Sequence, residues 1–355
     1  MSHIQFFRSG KNVRLMDTSS ICVTQKLEPN TYVVKLNPQN GEYYLELIED
    51  FSIPQKIYGD TVKLTDRILN TFNSRSGSVG ILLSGTKGSG KTLQAKHISV
   101  IARQKHDIPT IIVNEEHSGA EFNTFIQSLS QPCVIIFDEF EKVYDRKHQE
   151  ELLTLLDGVL SSKNIFIFTC NNVFLIDGHM MNRPSRIYYS RNYVSLDEEV
   201  ILEYCEEKLA DKSHIKSICG IAKLFDEFNF DALQCMVEEM NRYNENPMQV
   251  LKFLNIKFTN GSNIYKLEEV IYKGTKITQR NDVRIDCNPM FYSRKIFIYR
   301  NNKEDADLFP ITLNNQDLVT CDGNTGIYTY KTKDYSITFK KEVPPAIDYS
   351  KFLTT

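Results

Sequence analysis

Residues 85–92 read Gly85-Thr86-Lys87-Gly88-Ser89-Gly90-Lys91-Thr92, which is the G-x-x-x-x-G-K-[ST] (Walker A) pattern of a phosphate-binding P-loop. An apolar run, residues 80–83, precedes the pattern as a buried strand, and apolar residues at helical spacing follow it. Glycines let the backbone wrap round an anion, and the N–H groups at the start of the helix point at the phosphates. The pattern predicts that Lys91 reaches the β- and γ-phosphates and that Thr92 ligates Mg²⁺.

A second apolar run ends in two carboxylates. Residues 134–137 are Val-Ile-Ile-Phe, and Asp138 and Glu139 follow them. The run is typical of a central parallel strand covered on both faces, and acids at the carboxyl end of such a strand face the ligand crevice. We expect Asp138 to hold Mg²⁺ through water and Glu139 to polarise the attacking water. The alternative is a solvated strand end.

Polar residues follow the next predicted strand, residues 165–169, which continues into Cys170-Asn171-Asn172. A polar side chain at this strand tip would lie beside the γ-phosphate, and we favour Asn171 over Asn172 for that place. The alternative is that both asparagines are turn residues, since asparagine favours turns.

Two arginines bracket a proline further along, in Arg183-Pro184-Ser185-Arg186. The proline stiffens the segment, and each arginine carries a permanent charge on a planar fork. Such side chains can act as fingers on the phosphates of a neighbouring subunit. The alternative is a solvated loop.

Together these four segments resemble the AAA branch of the AAA+ ATPases, and the resemblance covers roughly residues 57–256. Residues 149–158 resemble the helix that the family places before its sensor strand, and residues 57–60 resemble the segment that lines its adenine pocket. The overall pattern is also similar to uncharacterised AAA ATPases of large bacteriophages. The resemblance implies ATP hydrolysis, with ATP and Mg²⁺ as cofactors.

The resemblance also implies a role for each candidate residue. Glu139 would be the catalytic base and Asn171 the first sensor, while Arg183 and Arg186 would act in trans as arginine fingers. Fingers that act in trans imply a homo-oligomeric ring, usually a hexamer. The remaining residues expected to bind the nucleotide or its metal are Tyr58, Gly59, Gly85, Thr86, Lys87, Gly88, Ser89, Gly90, Lys91, Thr92 and Asp138.

One segment departs from the family pattern. Unfoldases of this family carry an aromatic-hydrophobic-Gly loop after the second core strand, and that loop grips polypeptide in the pore. The nearest match is His117-Ser118-Gly119, in which no aromatic residue occupies the gripping position.

The hydrophobic, charge and cysteine patterns predict an intracellular protein. The chain of 355 residues has a net charge of −3 and shows neither an apolar run of membrane-spanning length nor a signal-peptide pattern. We expect a cytoplasmic location, in a bacterial host if the gene belongs to a phage, and no membrane partner. The eight cysteines form no C-x-x-C pair and the seven histidines show no ligand spacing, so no metal beyond Mg²⁺ is expected.

The chain is expected to form an α/β P-loop core of the AAA+ type with a parallel sheet, a small helical lid, and β-rich domains at both ends. The predicted bounds are 1–56 for the N-terminal β-rich domain, 57–190 for the core, 191–256 for the lid and 257–355 for the C-terminal β-rich domain. Residues 37–41 carry a strong hairpin-turn signal within the first segment.

The C-terminal segment mixes basic and aromatic residues. In residues 295–299, strand alternation puts Lys295, Phe297 and Tyr299 on one face and two isoleucines on the other. The aromatic residues could form a face for single-stranded nucleic acid, or they could belong to an ordinary β-domain core, which we favour.

These observations predict an ATP-hydrolysing ring that remodels or moves a macromolecular partner, with a protein favoured. Two alternatives stay open: a nucleic-acid-associated ATPase such as a loader or packaging factor, and a nucleotide-gated assembly switch.

Overall fold

The computed structural model describes residues 4–9, 12–17, 22–157, 163–181, 183–193, 195–223, 225, 228–256, 264–279, 282–285, 294–304, 306–314, 317–322 and 325–342. The chain divides into two compact units. The first unit comprises Met1–Gln55, Val62–Ser84 and Thr92–Arg191, and the second comprises Lys56–Thr61, Gly85–Lys91 and Asn192–Thr355. None of the helices in the described ranges combines the length and apolar character that a membrane span requires.

A mostly parallel sheet forms the centre of the first unit. An antiparallel hairpin, β1 (Ile4–Ser9) and β2 (Asn12–Asp17), precedes it in the chain. The seven strands of the sheet are β3 (Thr31–Leu36), β4 (Tyr43–Ile48), β5 (Val79–Gly85), β6 (Thr110–Val113), β7 (Val134–Phe137), β8 (Ile165–Cys170) and β9 (Tyr189–Tyr193). Their order is β4-β3-β6-β7-β8-β5-β9, and the neighbours from β3 to β5 are parallel.

Helices pack on this sheet because its inner strands are apolar on both faces. Every residue of β7 and β8 is buried, and both strands contribute to one apolar core. The helices are α1 (Thr61–Ser74), α2 (Lys91–His106), α3 (Gly119–Ser128), α4 (Phe140–Val143), α5 (Arg146–Glu151) and α6 (Leu153–Leu156). The family-like helix predicted over residues 149–158 is thus divided between α5 and α6, and residue 158 lies outside the described residues.

The prediction that residues 1–56 form a separate N-terminal β-rich domain is wrong for β3 and β4, which belong to the central sheet. Their hairpin forms as expected, but β3 pairs in parallel with β6, with Thr31 opposite Thr110, and so extends the central sheet. The physical reason is burial, since Val34 is fully buried in the core cluster that also contains Ile111. Alternation within a hairpin does not reveal which sheet the hairpin joins.

Four helices of the second unit form the expected lid: α7 (Glu198–Lys208), α8 (Ile215–Ala222), α9 (Phe230–Tyr243) and α10 (Pro247–Val250). They enclose an apolar core of their own, to which α9 contributes Leu233, Met236, Val237 and Met240. Asn229 caps α9, and Asn246 and Gln249 form a capping box with Pro247 at the first helical position of α10.

The C-terminal segment is β-rich, as predicted. Its strands are β10 (Tyr265–Tyr272), β11 (Thr275–Lys276), β12 (Arg284–Ile285), β13 (Arg294–Tyr299), β14 (Leu308–Leu313), β15 (Leu318–Asp322), β16 (Ile327–Lys331) and β17 (Tyr335–Lys341). Six of these strands form one sheet in the order β11-β10-β17-β16-β15, with β12 paired to β10. Strands β13 and β14 form a separate two-stranded ribbon, and its Ile296 and Ile298 are buried in a core shared with that sheet. Phe297 is 51% exposed, which confirms the predicted alternation.

Candidate active site

Three strands of the central sheet end at the same edge. Strands β5, β8 and β7 are parallel neighbours, with Ser84 opposite Cys170 and Phe137 opposite Phe168. From these ends the chain continues directly into the P-loop, into Asn171 and into Asp138. The carboxyl edge of a parallel sheet is where α/β proteins bind ligands.

The P-loop adopts backbone conformations that favour glycine. Gly85, Gly88 and Gly90 have φ of 139°, 74° and 99°, in the range that L side chains rarely adopt. Gly85 is also confined by space, because an added Cβ would lie 2.2 Å from the carbonyl oxygen of Tyr193. The three glycines of the motif are therefore required by this loop shape.

The polar atoms of the loop fit a phosphate ligand. Within the described part of the chain, the hydroxyls of Thr86 and Ser89 are buried and make no hydrogen bond. Lys91 is 7% exposed, and its ammonium group donates to the carbonyl oxygens of Gly85 and Thr86, at 2.6 and 2.7 Å. Buried hydroxyls without a partner are costly, and phosphate oxygens would supply the missing acceptors.

One hydroxyl joins the two carboxylate residues after β7. The Thr169 side chain is 2% exposed; it donates to Asp138 Oδ1 at 2.6 Å and accepts the backbone N–H of Glu139 at 2.9 Å. Glu139 has a left-handed backbone, with φ 47° and ψ 45°, which is uncommon outside glycine and asparagine. Thr169 thus fixes the side chain of one acid and the backbone of the next.

The structure brings Glu139 and Asn171 together. The Asn171 amide lies 3.4 Å from Glu139 Oε1 and 3.1 Å from Glu141 Oε1, and the Asn171 backbone N–H donates to Glu141 at 2.8 Å. Lys142 forms an ion pair with Glu139.

Sequence reasoning missed Thr169, Glu141 and Lys142 as functional residues. The pairing of β7 with β8 offered a signal for Thr169, since it places the end of one strand beside the end of the other. Glu141 and Lys142 lie on the short helix α4, whose sequence shows no pattern that predicts which neighbours their side chains contact.

The two arginines occupy different environments. Arg183 is exposed. Arg186 is 8% exposed, and its guanidinium donates to both oxygens of Asp157 and to the carbonyl oxygen of His179. The hydrogen bonds from Arg186 hold the pKa of Asp157 below its usual range. Arg183 therefore has the exposure that a finger needs, whereas the fork of Arg186 is engaged within its own chain.

Tyr58 and Gly59 lie against the lid within the second unit. The Tyr58 ring packs against Tyr204 and Phe230, with centroids 5.1 and 5.7 Å away, and its burial raises its pKa. Gly59 has φ 76°, and an added Cβ would lie 3.0 Å from Val200. Their role in binding adenine stays a prediction.

No group of three or more His, Cys, Asp or Glu side chains suited to a metal ion occurs in the described ranges.

A known protein family matches the part of the chain that contains the P-loop and the ends of β7 and β8. Residues 81–192 match the family described as "ATPase family associated with various cellular activities (AAA)". This part of the chain is an AAA domain of the AAA+ ATPase superfamily. The domain is thus an ATP-hydrolysing enzyme domain, and the parallel core of this AAA+ protein is the fold expected for it.

Curated relatives are similar over part of the chain. The peroxisomal ATPase pex1 of Schizosaccharomyces pombe is 28% identical over 162 residues, which cover 41% of this chain and 17% of that protein. The peroxisomal ATPase PEX6 of Dictyostelium discoideum is 30% identical over 150 residues, covering 36% and 12%. The nuclear valosin-containing protein-like protein of Mus musculus is 30% identical over 124 residues, covering 30% and 14%. The AAA+ chain spans less than a fifth of the length of these relatives.

Among solved structures, one chain from the "Structure of E. coli MS115-1 HORMA:CdnC:Trip13 complex" aligns with 57% of this chain and 91% of its own length. The TM-score is 0.41 and the sequence identity is 14%.

Proposed function

We propose that this AAA+ ATPase acts as a ring that uses ATP hydrolysis to remodel a protein partner. The observation that carries the proposal is the network after β7 and β8. There Thr169 fixes Asp138 and Glu139, and Asn171 lies within 3.4 Å of the Glu139 carboxylate. A carboxylate held in this way suits a reaction in which it polarises an attacking water.

Each residue has one task in the proposed reaction. The P-loop N–H groups and Lys91 stabilise negative charge on the transferring phosphoryl group. When bound, Mg²⁺ neutralises phosphate charge, and Thr92 and Asp138 would hold it. Glu139 accepts a hydrogen bond from the attacking water and polarises it, while Asn171 orients the two.

The ion pair with Lys142 must open before Glu139 can act. In the described arrangement the Lys142 ammonium group, on helix α4, is paired with the Glu139 carboxylate and takes up a position from which a water molecule could donate to it. Release of Lys142 would therefore leave the Glu139 carboxylate able to accept a hydrogen bond from the attacking water.

The ring is supported by the placement of the arginines. Arg183 is exposed, and its carbonyl oxygen accepts the backbone N–H groups of Arg186 and Ile187 at 2.8 and 3.0 Å. A tight turn therefore presents Arg183, which would contact the γ-phosphate of a neighbouring copy. A hexamer is the usual assembly for this arrangement.

A protein partner is supported by the relatives, which include two peroxisomal ATPases and a valosin-containing-like protein. The loop after β6 would engage such a partner differently from an aromatic grip. His117 is buried there and donates its backbone N–H to Tyr144, whereas Glu115 and Glu116 are exposed. The Glu115 carboxylate is paired with Lys35 and the Glu116 carboxylate lies 3.0 Å from His148, but the two side chains stay 54% and 49% exposed and so favour basic or polar segments.

ATPase stimulation tests the proposed partner class. The full chain is assayed with an unfolded basic protein, with an unfolded acidic protein and with single-stranded DNA. We expect the basic protein to raise turnover most, and Glu139→Gln to form a stable complex with it in ATP. The matched control is the Lys91→Ala, Glu139→Gln double variant, which should form none. Stimulation by DNA alone would support the nucleic-acid alternative, and stimulation by none of the three would support the assembly switch.

A further inference from the structure

The first turn of α9 is joined to the P-loop by a single side chain. Asn229 accepts the N–H of Ala232 at 2.8 Å through its Oδ1, which caps the helix. Its Nδ2 donates to the carbonyl oxygen of Lys87 at 2.9 Å. The cap of a lid helix is therefore also a tether on the phosphate-binding loop.

A carboxylate lies beside the same loop. A Cβ built on Gly88 would lie 2.3 Å from Asp231 Oδ2 and 2.8 Å from its Cγ, so the acid is packed against the loop backbone. An acid in the first turn of a helix is stabilised by the helix dipole. Phosphates bound in the loop would bring negative charge close to Asp231, and the two would repel each other.

We propose that the first turn of α9 is a charge-sensitive latch on the P-loop. Asn229 holds the P-loop against α9. The Asp231 carboxylate repels the bound phosphates, and the repulsion grows with their negative charge. The latch weakens nucleotide affinity and couples phosphate occupancy to the position of α9. It rests on the proposed binding of ATP in the P-loop.

The affinity of the full chain for nucleotides tests the role of Asp231. ATP and ADP affinities are measured by calorimetry in EDTA, for the wild type and for Asp231→Asn. Because Asp231 is exposed, solvent screens its repulsion of the phosphates. We therefore expect a modest effect, with Asp231→Asn binding ATP about three- to tenfold more tightly than the wild type. ADP carries one charge fewer and should gain less. Raising the salt concentration should reduce both gains.

A matched control removes the same charge farther along the helix. Glu238 lies seven residues after Asp231, roughly 10 Å along the axis, and its carboxylate accepts from Gln234. Glu238→Gln should leave both affinities unchanged. Equal gains for ATP and ADP, no gain in Asp231→Asn, or the same gain in Glu238→Gln would overturn the latch. A wild type that binds no ATP would instead refute the proposed function.

The tether is tested by a change that keeps the cap. Serine is a good N-cap residue but lacks the amide donor, so Asn229→Ser should keep a Tm close to that of the wild type. We expect faster hydrogen exchange at the amides of residues 87–90 in this variant, because the hydrogen bond to Lys87 is lost. Unchanged exchange there, with α9 intact, would remove Asn229 from the latch.

Discussion

The guanidinium of Arg186 binds the carboxylate of Asp157 at two points, with Nε 2.5 Å from Oδ1 and Nη2 2.8 Å from Oδ2. A third donor, Nη1, lies 2.7 Å from the carbonyl oxygen of His179. These bonds fasten the turn that begins at Arg183 to the end of α6. Arg186 therefore shapes the turn, and Arg183 is the arginine that the turn presents.

Removing either partner of this pair should destabilise the protein. Arg186→Ala and Asp157→Asn should each cost roughly 1–3 kcal/mol, between the values for exposed and buried pairs, because Asp157 is partly exposed. Thermal unfolding followed by circular dichroism measures the effect. Arg183→Ala is the matched control and should leave Tm unchanged. Equal loss in all three variants would contradict the division of roles.

The Thr169 hydroxyl should be needed for turnover. Thr169→Val removes the acceptor for the Glu139 N–H and the donor to Asp138, and an unsatisfied buried group costs about 1–3 kcal/mol, so kcat should fall by roughly ten- to a hundredfold. Thr169→Ser keeps the hydroxyl and should retain most of the activity. Steady-state ATPase assays over a range of Mg²⁺ concentrations measure both variants.

A fall in Thr169→Ser as large as that in Thr169→Val would assign the effect to packing instead of hydrogen bonding. Full activity in Thr169→Val would show that the network does not position the acids.

Much of the core could be predicted from local sequence. Strands β5, β7 and β8 are continuous apolar runs, and the start of α10 is marked by Asn246-Pro247. These features depend on residues close in the chain, so periodicity and capping chemistry reveal them.

The features that could not be predicted depend on distant residues. The joining of β3 to β6 brings together residues almost 80 positions apart, and hairpin alternation carries no information on that pairing. Arg186 and Asp157 are also separated in the chain, and an arginine that serves a partner subunit looks the same in sequence as one engaged in its own chain. The bonds of Thr169 required the register of β7 against β8.

Two inactive variants, one without the arginine finger and one without the P-loop lysine, should recover ATPase activity when their subunits are mixed. Arg183→Ala should bind ATP but turn over slowly, because an arginine finger contributes on the order of 10³–10⁵ in rate. Mixed with Lys91→Ala, it should regain activity at interfaces that combine one intact finger with one intact P-loop. The measurement is ATPase rate against mixing ratio, with each variant alone as control. A fully active monomer would contradict the ring.

The exposed face of β13 should contribute to partner binding. Phe297 is 51% exposed, so Phe297→Ser should leave Tm and basal turnover unchanged but reduce stimulation by the protein partner. Val319, 58% exposed on β15, gives the matched control Val319→Ser, which should retain stimulation. Binding of single-stranded DNA by the full chain is measured across a salt series. Tight binding that weakens steeply with salt and is lost in Phe297→Ser would favour the nucleic-acid alternative.

The most direct test compares ATP binding and hydrolysis in the wild type, Lys91→Ala and Glu139→Gln. The wild type should hydrolyse ATP, Lys91→Ala should lose tight binding, and Glu139→Gln should bind ATP as tightly as the wild type while turning it over at least about a hundredfold more slowly. Near-normal turnover in Glu139→Gln, or tight ATP binding in Lys91→Ala, would contradict the account.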